Sequence, residues 1–186
     1  MVASRVKTKG NPMDDDEADF REFVTLRWSS LVTTAYLITT DRGIAEDCVQ
    51  EAMTRVHRHW RGVRKDGKPA AYARQAVVNA ALSWRRRRRI REVPLTPLDQ
   101  TTRPATEPVD QSVEGVDPVL LAALRSLPPQ MRAAVALRYL EDRSEAETAI
   151  LLGCSVGTVK SSTSRGVARL RTALEPAPHT DREGAR

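Results

Sequence analysis

Aromatic side chains make up only 4% of this 186-residue chain. Abundant Ala, Leu, Val and Arg with so few aromatics suit small helical bundles rather than a β-sandwich. Cysteine is nearly absent: Cys48 and Cys154 lie far apart and no Cys-x-x-Cys spacing occurs, so zinc-ribbon and dithiol chemistry are excluded and both thiols are expected to be reduced and structural. His57 and His59 are the only close histidine pair, and two positions apart on a helix they face different sides, which argues against joint metal ligation. No stretch approaches the roughly 20 apolar residues that span a bilayer. The basic N-terminus has no apolar run behind it, so no membrane insertion is expected and the chain reads as cytoplasmic. A phosphate-cradling glycine loop, a nucleophile elbow and metal-ligand spacing are also missing. Taken together, these absences describe a chain that is not an enzyme, with no cofactor and no metal.

What the chain does carry is positive charge, unevenly placed. Its formal net charge is +6 and its pI about 9.8, so polyanions are attracted over a Debye length. Asp14 to Glu17 and Asp19 form an acidic cluster near the start, whereas Arg85 to Arg89 with Arg91 form a basic block beside Trp84. A solvated tract is the plain reading of such a block, but this one continues an apolar helical segment.

Along the chain, residues 1–17 are polar and read as a disordered tail. From Phe20 onward Phe23, Val24, Leu31, Ala35 and Ile38 keep helical spacing, until Thr40-Asp41-Arg42-Gly43 breaks it. A second helix is predicted from about Ile44 to Trp60, burying Ala45, Cys48, Val49, Ala52, Val56 and Trp60 and presenting Asp47, Gln50, Glu51 and Thr54 on another face. Arg61 to Lys68 reads as a basic loop. Pro69 suits the first position of a third helix to about Arg89, with Ala73, Ala76, Val77, Ala80 and Trp84 as its apolar seam. Residues 92–116 lose all periodicity; prolines 94, 97, 104 and 108 and the acids Glu92, Asp99, Glu107, Asp110 and Glu114 mark an extended linker. Asp117-Pro118 then starts a helix to about Arg125 and Pro128-Pro129 another, with a tail at 174–186.

The most informative segment runs from Ser144 to Lys160 and carries a helix-turn-helix signature. Ala149 is small where a second helix must cross, Gly153 supplies a left-handed turn, and Ser155 caps a new helix through the N–H of Gly157 or Thr158. Val156, Val159, Thr163, Val167 and Leu170 would face the core. Thr158, Lys160, Ser161, Ser162 and Arg165 are left outward, and this mixture of short hydroxyls and long cations suits a groove of DNA. An ordinary helical hairpin with a solvated polar face is the competing interpretation.

The order of these pieces resembles the extracytoplasmic-function group of the bacterial sigma-70 family of RNA polymerase sigma factors. The resemblance spans Phe20 to Arg171 and rests on Asp47-Cys48-Val49-Gln50-Glu51-Ala52, on Ala76-Val77-Val78-Asn79 with the Arg block, on Leu127-Pro128-Pro129-Gln130, and on Val156 to Ser161. It implies an all-α fold of two small helical bundles, a region 2 over 18–91 and a region 4 over 117–173, joined by a flexible linker at 92–116. It further implies that Asp47, Gln50 and Glu51 dock on the polymerase core, within its largest subunits. Trp60, Arg61, Lys65, Lys68, Asn79, Arg85, Arg86 and Arg88 would take the −10 element, and Thr158, Lys160, Ser161, Ser162 and Arg165 the −35 element. For the Arg block the alternative is nonspecific phosphate attraction, and the linker either enters the polymerase channel or merely tethers. Promoter DNA and core polymerase are the implied partners, and restraint would come from a separate anti-sigma factor or from control of expression.

Three residues depart from the family pattern: Ser83 stands where Asp is common, Ser162 where Arg is common, and Gly166 where Ala is usual. A helix-interior glycine costs roughly 1 kcal/mol, so the last turns of that helix are expected to be loose until DNA orders them. A two-component or quorum-type regulator would use the same motif without polymerase, but its receiver domain requires alternating strands and helices, and Phe20 to Arg89 is helically periodic throughout.

Overall fold

The computed structural model describes residues 12–91 and 116–175, with side chains for 15–84 and 116–175. These residues are helical, with no strand among them, and form two compact units that divide between Thr106 and Glu107.

The N-terminal unit comprises α1 (Pro12–Thr39), α2 (Arg42–Arg58), the short α3 (Trp60–Lys65) and α4 (Pro69–Arg91). Helices α1, α2 and α4 pack on one another, and α3 sits against all three. Val49, Val56, Val77 and Val78 are fully buried, each stabilising by roughly 1.5–3 kcal/mol. Small residues let the helices approach: Ala45 and Ala52 on α2 and Ala73, Ala80 and Ala81 on α4 have no exposed surface. Between α1 and α2, Thr40 is left-handed (φ 60°) and its N–H donates to the Tyr36 carbonyl, while the Asp41 carboxylate accepts from the Ile44 N–H at 3.0 Å and starts α2.

Two boundaries differ from the sequence reading. Helix α1 begins at Pro12, inside the segment expected to be tail, because proline suits a first helical position and acidic residues are favoured in the turns that follow. The expected loop Arg61 to Lys68 is mostly the helical turn α3, held by buried Trp60 and Val63. Residues 1–11, 92–115 and 176–186, and the linker and tail expected there, lie outside the described residues.

The C-terminal unit comprises α5 (Pro118–Arg125), α6 (Pro129–Val135), a π-helical turn (Ala136–Leu140), α7 (Glu145–Leu152) and α8 (Val156–Leu174). Asp117 caps α5 by accepting from the Val119 N–H at 2.8 Å. Gly166 explains how α8 seats on α6: a Cβ there would stand 2.5 Å from Val135 Cγ2 and 3.0 Å from Met131 Cγ. The missing side chain thus permits a close helix crossing. Arg132, only 1% exposed, donates to the Leu127 carbonyl at 3.1 Å, tying α6 to the end of α5.

Candidate nucleic-acid interface

The stripe expected on α2 is present as a surface. Asp47 and Gln50 are exposed and Glu51 is half-buried, while Ala45, Cys48, Val49, Ala52, Met53 and Val56 take the opposite, buried side. Helical periodicity thus separates the faces. Glu51 pairs with Arg55 one turn on, and the Thr54 hydroxyl donates to the Gln50 carbonyl at 2.9 Å.

Beyond α2 the chain turns at His59 into α3, and Trp60 anchors the corner. Its indole, 6% exposed, packs edge-on against Phe20 with ring centroids 5.1 Å apart and tilted against Phe23 at 5.0 Å. Its Nε1–H is buried without a hydrogen-bond partner. Trp60 therefore borders the adjoining open pocket of about 590 Å³ as a packed anchor, and Asp16, Glu17, His57, His59, Arg61 and Tyr72 also line that pocket.

Acidic residues of α1 close over this corner. Asp16 accepts from Arg61 Nε at 2.5 Å and from Arg64 Nη1 at 3.2 Å, and Asp19 pairs with the same Arg64 nitrogen. The Glu17 carboxylate accepts from His57 Nε2 at 2.9 Å. That hydrogen bond is the main reason the Glu17 carboxyl lies below its usual value, against a smaller opposing effect of desolvation. Lys65 and Lys68 are exposed and pair with no described carboxylate.

On α4, Asn79 is exposed and its side-chain oxygen accepts from Gln75 Nε2 at 3.3 Å. Arg85, Arg86 and Arg88 lie on the same helix, but their side chains are outside the described residues. Arg64 and Tyr72 belong to this surface and sequence reasoning missed them. Arg64 had a signal, since it stands three positions after Arg61 and so shares its side of a helix.

The helix-turn-helix forms through local chemistry. Ser144 and Glu147 make a reciprocal capping box at the start of α7, with bonds of 3.1 and 2.9 Å. Gly153 is left-handed at φ 62°, and Ser155 accepts from the Thr158 N–H at 3.1 Å to start α8. Val159, Thr163 and Leu170 are buried and Val167 half-buried, but Val156, expected inside, is 40% exposed. It is the first residue of α8, where the helix has not yet reached the core.

Thr158, Lys160, Ser161 and Arg165 are exposed and Ser162 half-buried. Their polar groups are held close to the protein. The Thr158 hydroxyl meets Ser155 Oγ at 2.9 Å, the Ser161 hydroxyl donates to the Thr158 carbonyl, Arg165 Nε donates to the Ser161 carbonyl at 3.1 Å, and Lys160 Nζ lies 3.5 Å from Glu145. The outer face of α8 is therefore low and polar, with two long cations able to turn outward.

Among the described residues no cluster of metal-ligating side chains occurs, and no helix is long and apolar enough to cross a membrane.

Residues 29–90 match the family description Sigma-70 region 2, and residues 119–170 match Sigma-70, region 4. Among curated proteins, the RNA polymerase sigma-E factor of Streptomyces avermitilis is 36% identical over 159 residues, covering 84% of this chain and 86% of that one. The ECF RNA polymerase sigma factor SigM of Mycobacterium tuberculosis is 36% identical over 132 residues, covering 70% of this chain and 64% of its own length. Among solved structures, the sigma factor RpoE in complex with the anti-sigma factor NepR from Bartonella quintana is similar with a TM-score of 0.62, over 84% of this chain and 96% of that one; at 22% identity this is a likeness of fold. Two matched regions in order, and relatives of this identity and coverage, mean that the chain belongs to the extracytoplasmic-function group of the sigma-70 family and is a sigma factor directing transcription initiation.

Proposed function

We propose a division of labour in which residues 18–91 act as region 2 and residues 117–173 as region 4, with 92–116 as the linker. Asp47, Gln50 and Glu51 dock on core polymerase, where carboxylates and an amide complement a basic partner surface. Opening duplex DNA loses on the order of 1.4 kcal/mol of stacking per base step, and a factor that hydrolyses nothing offsets this only by binding the separated strand. The pocket beside α3 supports that role: its volume of about 590 Å³ admits a flipped base. Arg61, Lys65 and Lys68 would hold phosphates beside it, with Arg85, Arg86 and Arg88 further along the strand, Trp60 as the packed wall and Asn79 offering an amide to base edges. In region 4, Thr158, Lys160, Ser161, Ser162 and Arg165 read and hold the −35 element from the major groove.

The observation that carries this reading is the presence, within one unit and on consecutive helices, of a polar carboxylate-amide stripe on α2 and a corner with an open pocket and exposed cations at α3. The protein itself catalyses nothing and works in the cytoplasm beside polymerase and chromosome, and an anti-sigma factor of the kind seen with RpoE restrains it.

The test is reconstitution: the chain added to core polymerase over a genomic fragment library, with transcript starts mapped by sequencing. Starts should cluster at shared −10 and −35 sequences; no complex, or random starts, overturns the reading. Asp47→Arg with Glu51→Arg should abolish core binding while the fold is kept. Lys160→Ala with Arg165→Ala should weaken promoter binding and lower the salt slope by about 2, if each contacts one phosphate.

A further inference from the structure

The acidic segment of α1 is poorly explained as a mere surface. Asp16 and Asp19, three positions apart, share one side of the helix, and both reach Arg64 on α3, with Asp16 also reaching Arg61. One carboxylate bridges Arg61 and Arg64 at 2.5 and 3.2 Å, and the other doubles the contact to Arg64. Pinning α1 in place does not require them, because Phe20 and Phe23, one turn further on, already pack against Trp60 with centroids 5.1 and 5.0 Å away. Asp16 lines the pocket together with Arg61, a cation that a nucleic-acid backbone would use, and Asp19 stands one turn along on the same helix side.

We propose that Asp16 and Asp19 are an internal competitor for the DNA backbone, occupying Arg61 and Arg64 until the promoter strand displaces them. This rests on the assignment of the α3 corner to the −10 element. The spacing of the two acids fits, since neighbouring positions on one helix face stand roughly 5–6 Å apart, of the order of the separation between successive phosphates on an extended strand. The strength of the pairs fits as well. The Arg61 and Arg64 side chains remain 67% and 50% exposed, and pairs in that setting are weak and screened by salt, so the contact acts as a threshold and not a lock. A strand that offers only scattered phosphates leaves the pairs in place, whereas one that also seats a base in the pocket gains enough to open them. The anchor on Trp60 keeps α1 docked while its first turns move aside, so the carboxylates stay near enough to return when DNA leaves.

The test uses holoenzyme and a fluorescent oligonucleotide bearing the non-template −10 strand of a promoter mapped by its transcript starts, with affinity followed by anisotropy. Asp16→Asn with Asp19→Asn should bind about three- to tenfold more tightly at low salt, and the gain should shrink as salt rises because salt also screens the internal pairs. Asp15→Asn with Glu22→Gln removes the same charge at exposed positions that pair with no described residue, and it should give less than half of that gain. In a background of Arg61→Ala with Arg64→Ala the gain should vanish, as a double-mutant cycle requires for a direct coupling. Wild-type affinity in the Asn variant, or an equal gain in the charge control, overturns the competitor while the −10 assignment stands. Unaltered binding by the double Arg→Ala variant overturns that assignment, and the competitor falls with it.

Discussion

Arg165 in the C-terminal unit and the two arginines of α3 in the N-terminal unit are held in different ways. On α8, Arg165 rests on the carbonyl of Ser161, four residues back in the same helix. On α3, Arg61 and Arg64 rest on Asp16, 45 and 48 residues upstream. A side chain folded onto its own helix is released by a rotamer change alone, whereas one tied to a distant helix links whatever it binds to the packing of the whole unit. Arg165 is thus set within its own helix, although Lys160 reaches across to Glu145 on α7, whereas Arg61 and Arg64 depend on how α1 and α3 sit.

Trp60→Ala would break this comparison most severely. Removing a packed indole costs about 3–5 kcal/mol, and the loss should fall on the N-terminal unit alone. Calorimetry of the full chain should show one transition moving down while the C-terminal unit melts as before; a joint shift would mean that the units do not unfold separately.

A smaller effect tests the C-terminal packing. Gly166→Ala gains roughly 1 kcal/mol of helix propensity, but its Cβ meets Val135 Cγ2, on a stiff β-branched side chain, at 2.5 Å. The net result should be a loss of about 1–2 kcal/mol. At Gly157 a Cβ meets only Ser155 Oγ at 3.8 Å, so Gly157→Ala should stabilise by about 0.5–1 kcal/mol. Denaturant titration of both variants separates the cases, and stabilisation by Gly166→Ala would refute the close crossing.

The smallest effect concerns acid. Hydrogen bonding to His57 keeps the Glu17 carboxyl below its ordinary value of 4.5, so its contribution to the fold is complete above that value and is lost as pH falls through the lowered one. Tryptophan fluorescence of the wild type should change slightly on acidification below about 4.5, and Glu17→Gln should lack that component. Identical acid profiles would mean that the His57 contact contributes nothing in solution.

The same local-versus-distant contrast decides what can be read from sequence. The caps at Asp117, Ser144 and Ser155 and the left-handed Gly153 act within four residues, so the helix-turn-helix is legible. The buried side of α2 is legible too, because periodicity alone assigns it, and Met53 is its one addition. Arg61 and Arg64 are visible as cations, but nothing nearby in the chain indicates that Asp16 covers them. The start of α1 is hidden by its charge, since an acidic run suits both a solvated tail and a helix N-terminus. The packing role of Gly166 is hidden for a related reason: a sequence displays a missing side chain but not the Val135 methyl that needs the room.

The buried alanines of α2 and α4 have a consequence of their own. With Ala45 and Ala52 on α2 and Ala73, Ala80 and Ala81 on α4 fully buried in helices that pack on one another, the N-terminal unit behaves as a calliper of fixed gauge, one jaw bearing Asp47 and the other Asn79. A methyl group added at any of these alanines would touch neither exposed face, yet it would spread the jaws and shift both faces at once.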